Sequence, residues 1–193
     1  MRAVWLKEER ITFDGKMLWA AAALCFLQSG EIAIPSDSAF DEGAHLGFND
    51  VTVDCLCHPQ ILRVCFKNGC LQSWHQHIII LFVGRANNRL CAVTAALSYM
   101  VERGAGAGPF FKFQDGCPLT RARFVMKVKE ALTIAGIDCT VYSGHSLRSG
   151  AATTAAKQGI SDAAIEMLGR WKSSAYQLYK DPTGTTGCLL SDS

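Results

Sequence analysis

A histidine and an arginine stand three residues apart in SGHSLRSGAATTAAKQG, residues 143–159. The alanine-rich run behind them reads as a helix, so His145 and Arg148 fall in its first turn and on one side of it. A helix start already offers free N–H groups and a partial positive charge. A guanidinium fork and an imidazole added there make a site for an anion such as phosphate. The letters HSLR fit equally a His145 that caps the helix beside an Arg148 in a surface ion pair, and by themselves they do not separate the two.

A second group of reactive types is Cys55, Cys57, His58, Cys65, Cys70, His75 and His77, all within 23 residues. Their C-x-C-H and H-x-H spacings lack the paired C-x₂-C knuckles of a zinc site, and alternate strand residues split between faces. The expectation is buried thiols and a solvated hairpin tip, with no metal.

The elements that must hold these residues follow from patterning. Lys16 to Gln28 reads as a buried helix with Ser29-Gly30 as its stop. EIAIPSDSAFDEGAHLGFND, rich in Pro, Gly, Ser and Asp, reads as a long surface connection. VTVDCLC (51–57), ILRVCF (61–66) and HIIILFV (77–83) are three β-type runs that predict a small antiparallel sheet. LCAVTAALSYMVERG spaces Val93, Ala96, Leu97, Met100 and Val101 as a helix that stops at Gly104, and GAGAGP follows as a flexible joint. PLTRARFVMKVKEALTIAGI predicts a helix capped by Thr120, with Phe124, Val128 and Leu132 inward and Arg121, Lys127 and Lys129 on its outer face. Helices at Leu147–Gln158 and Asp162 to about Trp171, separated by Gly159 and started by Ser161, lead into SSAYQLYK, a helix up to Asp181-Pro182. The fold class is α+β, mainly helical, with one small antiparallel sheet.

Composition narrows the function classes. The 193 residues are 49% hydrophobic and 19% charged, the mix of a folded protein with a real core. A net charge of +2 requires any nucleic-acid contact to come from a local basic surface. Nine cysteines, an odd number at irregular spacing behind MRAVWLKEER, read as reduced thiols inside a cell. The longest apolar run, MLWAAAALCFL, has eleven residues where a membrane helix needs about 20. The protein is expected neither in a membrane nor secreted.

The segment EMLGRWKSSAYQLYK joins the His-Arg pair to a larger pattern. H-x-x-R, an intervening helix, L-G-R-W and a tyrosine nine residues after Arg170 resemble the signature of the tyrosine recombinases, or phage-integrase family. The G-R-W-x-S-x-A-Y-x-x-Y ending is similar to recombinases of DIRS-like and crypton-like mobile elements. The resemblance spans about residues 3–181 and implies a recombinase-like catalytic domain over residues 1–181, with residues 182–193 as a flexible tail.

In that family a tyrosine hydroxyl attacks a DNA phosphodiester, forming a 3′-phosphotyrosyl link and a free 5′-hydroxyl without metal or cofactor. A phenol needs positioning and loss of its proton, and the pentacoordinate phosphate needs positive donors. By resemblance Tyr179 is the nucleophile, with Tyr176 as the alternative. Arg148 is the second family arginine, clamping the phosphate, and His145 is its acid/base partner. Arg170 occupies the position of the LGH histidine, and Trp171 follows one residue after the tryptophan of other members; either could donate to the phosphate, or Trp171 could be core. Arg121, Lys127, Lys129 and Lys172 are the expected DNA contacts. The resemblance further implies double-stranded DNA as partner, self-association on it, and a nucleus or other DNA-containing compartment.

Three departures qualify this. FLQSGEI puts Gln28 where the family carries its first arginine, and an amide brings neither the charge nor the five-donor fork. Loss of such a donor costs about 10²–10³ in rate or more. The hairpin FKNGCLQSWHQH offers Lys67 for the lysine that protonates the leaving hydroxyl. The N-terminal core-binding domain that usually clamps the other face of DNA is expected to be absent. Two classes therefore stand side by side: an attenuated DNA strand transferase, and a degenerate recombinase-derived domain that binds DNA or protein without catalysis.

Overall fold

A computed structural model describes residues 12–24, 29–36, 40–55, 57–68, 77–88, 91–169 and 171. Helix α1 (Phe13–Ala23) starts at Thr12, whose hydroxyl accepts from the Gly15 N–H at 3.1 Å. Met17, Leu18, Trp19, Ala20 and Ala21 are all buried, so successive residues face protein all round the helix, as its unbroken apolar run requires. Ser29 and Gly30 do not serve as its stop. They open a one-turn helix of their own, α2 (Ser29–Ile32).

The stretch after α2 is no simple surface connection. Ile32, Ala33 and Ile34 are buried, and so is Leu46. Ile34 pairs in parallel with Thr120: its N–H reaches the Leu119 carbonyl and its carbonyl accepts from Arg121 N–H, both at 3.0 Å. Main-chain pairing of an apolar segment outweighs the Pro-Ser-Asp composition around it.

A 3₁₀ turn at Phe48–Asp50 leads to β1 (Val51–Val53), β2 (Ile61–Asn68) and β3 (His77–Gly84), antiparallel in the order β1-β2-β3. β1 is shorter than the VTVDCLC run because the Asp54 carboxylate turns the chain. It accepts the N–H groups of Cys55, Gln60 and Ile61 at 3.0, 2.9 and 3.1 Å. Those bonds, from Ile61 and Gln60 first, hold its pKa below the ordinary aspartate value. Val51, Leu62, Val64 and Phe66 point into the core, while Ile80 and Phe82 remain exposed on the other face.

Helix α3 (Ala92–Arg103) buries Val93, Ala95, Ala96, Tyr99 and Arg103. The inward stripe is therefore rotated from the expected one: Leu97 and Met100 are only half-buried, and Val101 is 81% exposed. Tyr99 sets the rotation. Its hydroxyl lies 3.0 Å from the Phe110 carbonyl and 3.1 Å from that of Lys112, and it accepts from the Lys112 N–H at 2.9 Å.

GAGAGP is not a loose joint. The Arg103 guanidinium donates to the carbonyls of Phe110, Gly104 and Pro109 at 2.9, 3.1 and 2.7 Å, and lies 4.5 Å over the Phe48 ring. Gly104, at φ 68°, makes the turn that wraps the loop around that cation.

Helix α4 (Arg121–Ile134) begins with Thr120 accepting from the Arg123 N–H at 3.3 Å and buries Phe124, Val128, Ala131 and Leu132, as the spacing predicts. Two contacts tie α1 to distant chain. The Gln114 N–H donates to the Asp14 carboxylate at 2.8 Å, and Lys16 pairs with Glu102. One large core joins α1, the sheet, α3 and α4. Helices α5 (Ser146–Lys157) and α6 (Asp162–Gly169) close a second, small cluster around Ala152, Ala155 and Ile165. Gly159, at φ 77°, turns the chain between them, and Ser161 accepts from the Ala164 N–H at 3.3 Å.

Candidate functional site

Arg148 sits in the first turn of α5 and is 7% exposed. A guanidinium that deep carries a large desolvation cost unless it is paired and hydrogen-bonded. Its Nη2 donates to the Gly169 carbonyl at the end of α6, and its Cζ lies 4.3 Å from the centroid of the Trp171 ring. Arg148 is thus not a surface residue.

His145 is the N-cap residue of α5, but through its main chain. Its side chain makes no capping bond, and its carbonyl accepts from the Ser149 N–H at 2.9 Å. Capping falls to the two serines around it: Ser143 N–H donates to Ser146 Oγ at 2.9 Å, and His145 N–H to Ser143 Oγ at 3.3 Å. The imidazole stays exposed. The HSLR spacing therefore puts a solvent-facing imidazole and a buried guanidinium in the first turn of one helix.

Trp171 is half-buried and packs on the Ala152, Ala155 and Ile165 cluster. Its main-chain N–H bonds back to the Glu166 carbonyl at 3.1 Å, a six-to-one bond at the end of the helix. The turn swings the ring over Gly169, where a Cβ would overlap it. One side chain thus packs on the small cluster and stacks on Arg148. Gly169 escaped the sequence reading. The only signal for it was the glycine of the L-G pair before Arg170.

Lys67 lies in β2, and the register pairs it with Ile78, one step before the last pair of the β2–β3 ladder. Arg121 is exposed in the first turn of α4, and its guanidinium lies where a Cβ on Gly30 would be. Lys127 pairs with Glu130 at 2.8 Å. Lys127 and Lys129 do not share an outer face with Arg121. Two residues apart on a helix they are rotated by about 200°, so they flank the buried stripe on opposite sides. The line facing outward carries Ala122, Met126 and Thr133 instead. Gln28, Arg170, Lys172, Tyr176 and Tyr179 lie outside the described residues, as do Cys70 and His75.

Cys55, Cys57, Cys65, Cys91, Cys117 and Cys139 are free thiols. Among the described residues no three His, Cys, Asp or Glu side chains are grouped as a metal would require. No helix among them is long and apolar enough to cross a membrane.

Comparisons with known proteins bear on the fold. No family model matches the chain. Over 145 residues, 68% of its length, it is 28% identical to an integrase/recombinase XerD homolog of Selenomonas ruminantium, of which it covers 39%. Its fold matches the XerH site-specific recombinase, solved with its difH substrate in a pre-cleavage complex. That match has a TM-score of 0.64 at 14% identity and covers 93% of this chain and 47% of the other. The chain spans less than half the length of either relative. It has the fold of a tyrosine recombinase catalytic domain, and its sequence resembles that family.

Proposed function

We propose that this chain acts on DNA phosphodiesters as the catalytic part of a site-specific recombinase, with activity attenuated at Gln28. The observation that carries this reading is the buried Arg148, held beneath Trp171 at the helix start that also bears His145. A fully charged fork kept at a helix N-terminus is the equipment for a phosphate whose charge grows in the transition state.

In the proposed reaction the Tyr179 oxygen attacks the phosphorus and the 5′-oxygen leaves. His145 takes the proton of the Tyr179 hydroxyl, Arg148 holds the non-bridging oxygens, and Lys67 protonates the leaving 5′-oxygen. Arg170 is a further donor to the phosphate. The phosphotyrosyl ester keeps the bond energy for rejoining, so neither metal nor cofactor enters. Arg121, Lys127, Lys129 and Lys172 contribute charge toward the DNA backbone, and self-association on DNA would pair two cleavage events. A mobile-element origin and a nuclear or other DNA-containing location belong to the same proposal.

The second reading, a domain that binds DNA or protein without cleaving, is favoured by Gln28 itself. A DNA substrate nicked near the cleavage site decides between them, because loss of the short fragment leaves the covalent adduct trapped. Catalysis predicts an adduct in the natural sequence that Tyr179→Phe abolishes. An adduct seen only after Gln28→Arg assigns the natural sequence to the second reading, and none in either protein removes the catalytic one.

A further inference from the structure

Resting on the phosphate-site reading of Arg148, we infer that Gly169 and Trp171 are positioning residues for that arginine, and that Trp171 works through its ring face rather than as an indole N–H donor to phosphate. Three contacts at one helix end carry this. The Gly169 carbonyl accepts from Arg148 Nη2, which fixes one edge of the fork. The Trp171 ring covers the guanidinium at 4.3 Å, which fixes its plane. The ring reaches that position because α6 ends in the bond from Trp171 N–H to the Glu166 carbonyl, and because Gly169 has no Cβ in the way.

The arrangement has a chemical logic. A guanidinium binds phosphate in its plane, through its N–H groups, so a ring stacked on its face orients it without occupying that direction. Stacking also replaces part of the hydration that burial removes. The indole N–H belongs to the pyrrole edge, whereas it is the six-membered ring that lies against Gly169. In the sequence LGRW, glycine and tryptophan thus form one device two positions apart, with α5 supplying the cation it holds.

The test uses the full chain and two readouts. The first is the Arg148 Nε–Hε signal in ¹⁵N-labelled protein, assigned by its loss in Arg148→Lys. An indole ring current shifts it upfield, and Trp171→Leu and Gly169→Ala are expected to return it toward a free-arginine position. The second is affinity for a fluorescein-labelled mixed-sequence DNA duplex at low salt. Trp171→Leu and Gly169→Ala are each expected to weaken it about tenfold, with Trp171→Phe restoring most of what leucine loses, because phenylalanine keeps a ring face and has no N–H.

Loss in Trp171→Phe as large as in Trp171→Leu would identify an N–H donor and overturn the proposal. An Arg148 signal unmoved in Gly169→Ala, which keeps every atom of Trp171, would overturn it as well, and does not depend on leucine being tolerated. If the signals move as expected but Arg148→Ala binds DNA like the parent, the phosphate reading fails and takes the positioning role with it.

Discussion

Arg103 and Arg148 are each 7% exposed, and each lies over an aromatic ring, at 4.5 Å from Phe48 and 4.3 Å from Trp171. Their surroundings differ. Arg103 ends α3 inside the large core and donates to carbonyls of the loop that follows it, so its charge is the post around which residues 104–110 are wound. Arg148 begins α5 on the small cluster and reaches across to the end of another helix. A buried cation whose donors converge on one loop of its own chain is part of the scaffold. One that stands at a helix start, held by a ring and a carbonyl at the end of another helix, is not wound into a loop of its own, and under the proposed function it is the one that meets phosphate.

The largest effect should come from the scaffold arginine. Arg103→Met leaves buried carbonyls without their donor, and equilibrium urea unfolding should show a loss of about 3–4 kcal/mol. A loss within experimental scatter of zero would break the comparison at once. Tyr99 shares the Phe110 carbonyl with Arg103, and burial pushes its pKa from 10.0 up to about 12. Because the folded value is the higher one, this stabilisation is complete below pH 10 and is lost as pH rises through 12. About 2–3 kcal/mol should disappear across that window in unfolding curves, and Tyr99→Phe should remove that component.

Arg148→Ala should divide the two roles in the opposite sense. DNA affinity by anisotropy falls about tenfold, while the stability lost is smaller than for Arg103→Met. Equal destabilisation with unchanged binding would make the two arginines alike. The smallest effect is at the loop itself: Gly104→Ala must adopt φ 68° with a Cβ, and thermal unfolding should show a cost of about 1 kcal/mol without change in DNA affinity.

The sequence made Arg148 visible and left Arg103 unread, for a physical reason. HSLR heads an alanine-rich helix and is followed at fixed distance by L-G-R-W, so pattern and spacing are local. VERG carries no such pattern. Burial of Arg103 depends on a loop of three positive-φ glycines folding back onto it, which is a tertiary event. The same distinction explains the elements. Strands with β-branched runs and the Phe124, Val128, Leu132 stripe were legible because their periods are local. Ile34 beside Thr120 was not, since parallel pairing between segments 86 residues apart leaves no local trace. The HSLR spacing puts His145 and Arg148 in one helix turn, but the burial of Arg148 involves Gly169 and Trp171 at the far end of α6, which that spacing does not show.

The bond from Gln114 to Asp14 spans 100 residues and closes over the apolar helix α1. On the ribosome, α1 emerges long before α3 and residues 110–113, against which its Met17, Leu18, Ala20 and Ala21 are eventually covered. Closing so long a loop is slow compared with forming the helices themselves. Throughout that interval the nascent chain displays a sticky segment with no native cover, the kind of stretch that chaperones recognise and crowded translation punishes. The order in which the parts are made thus runs against the order in which they can be protected.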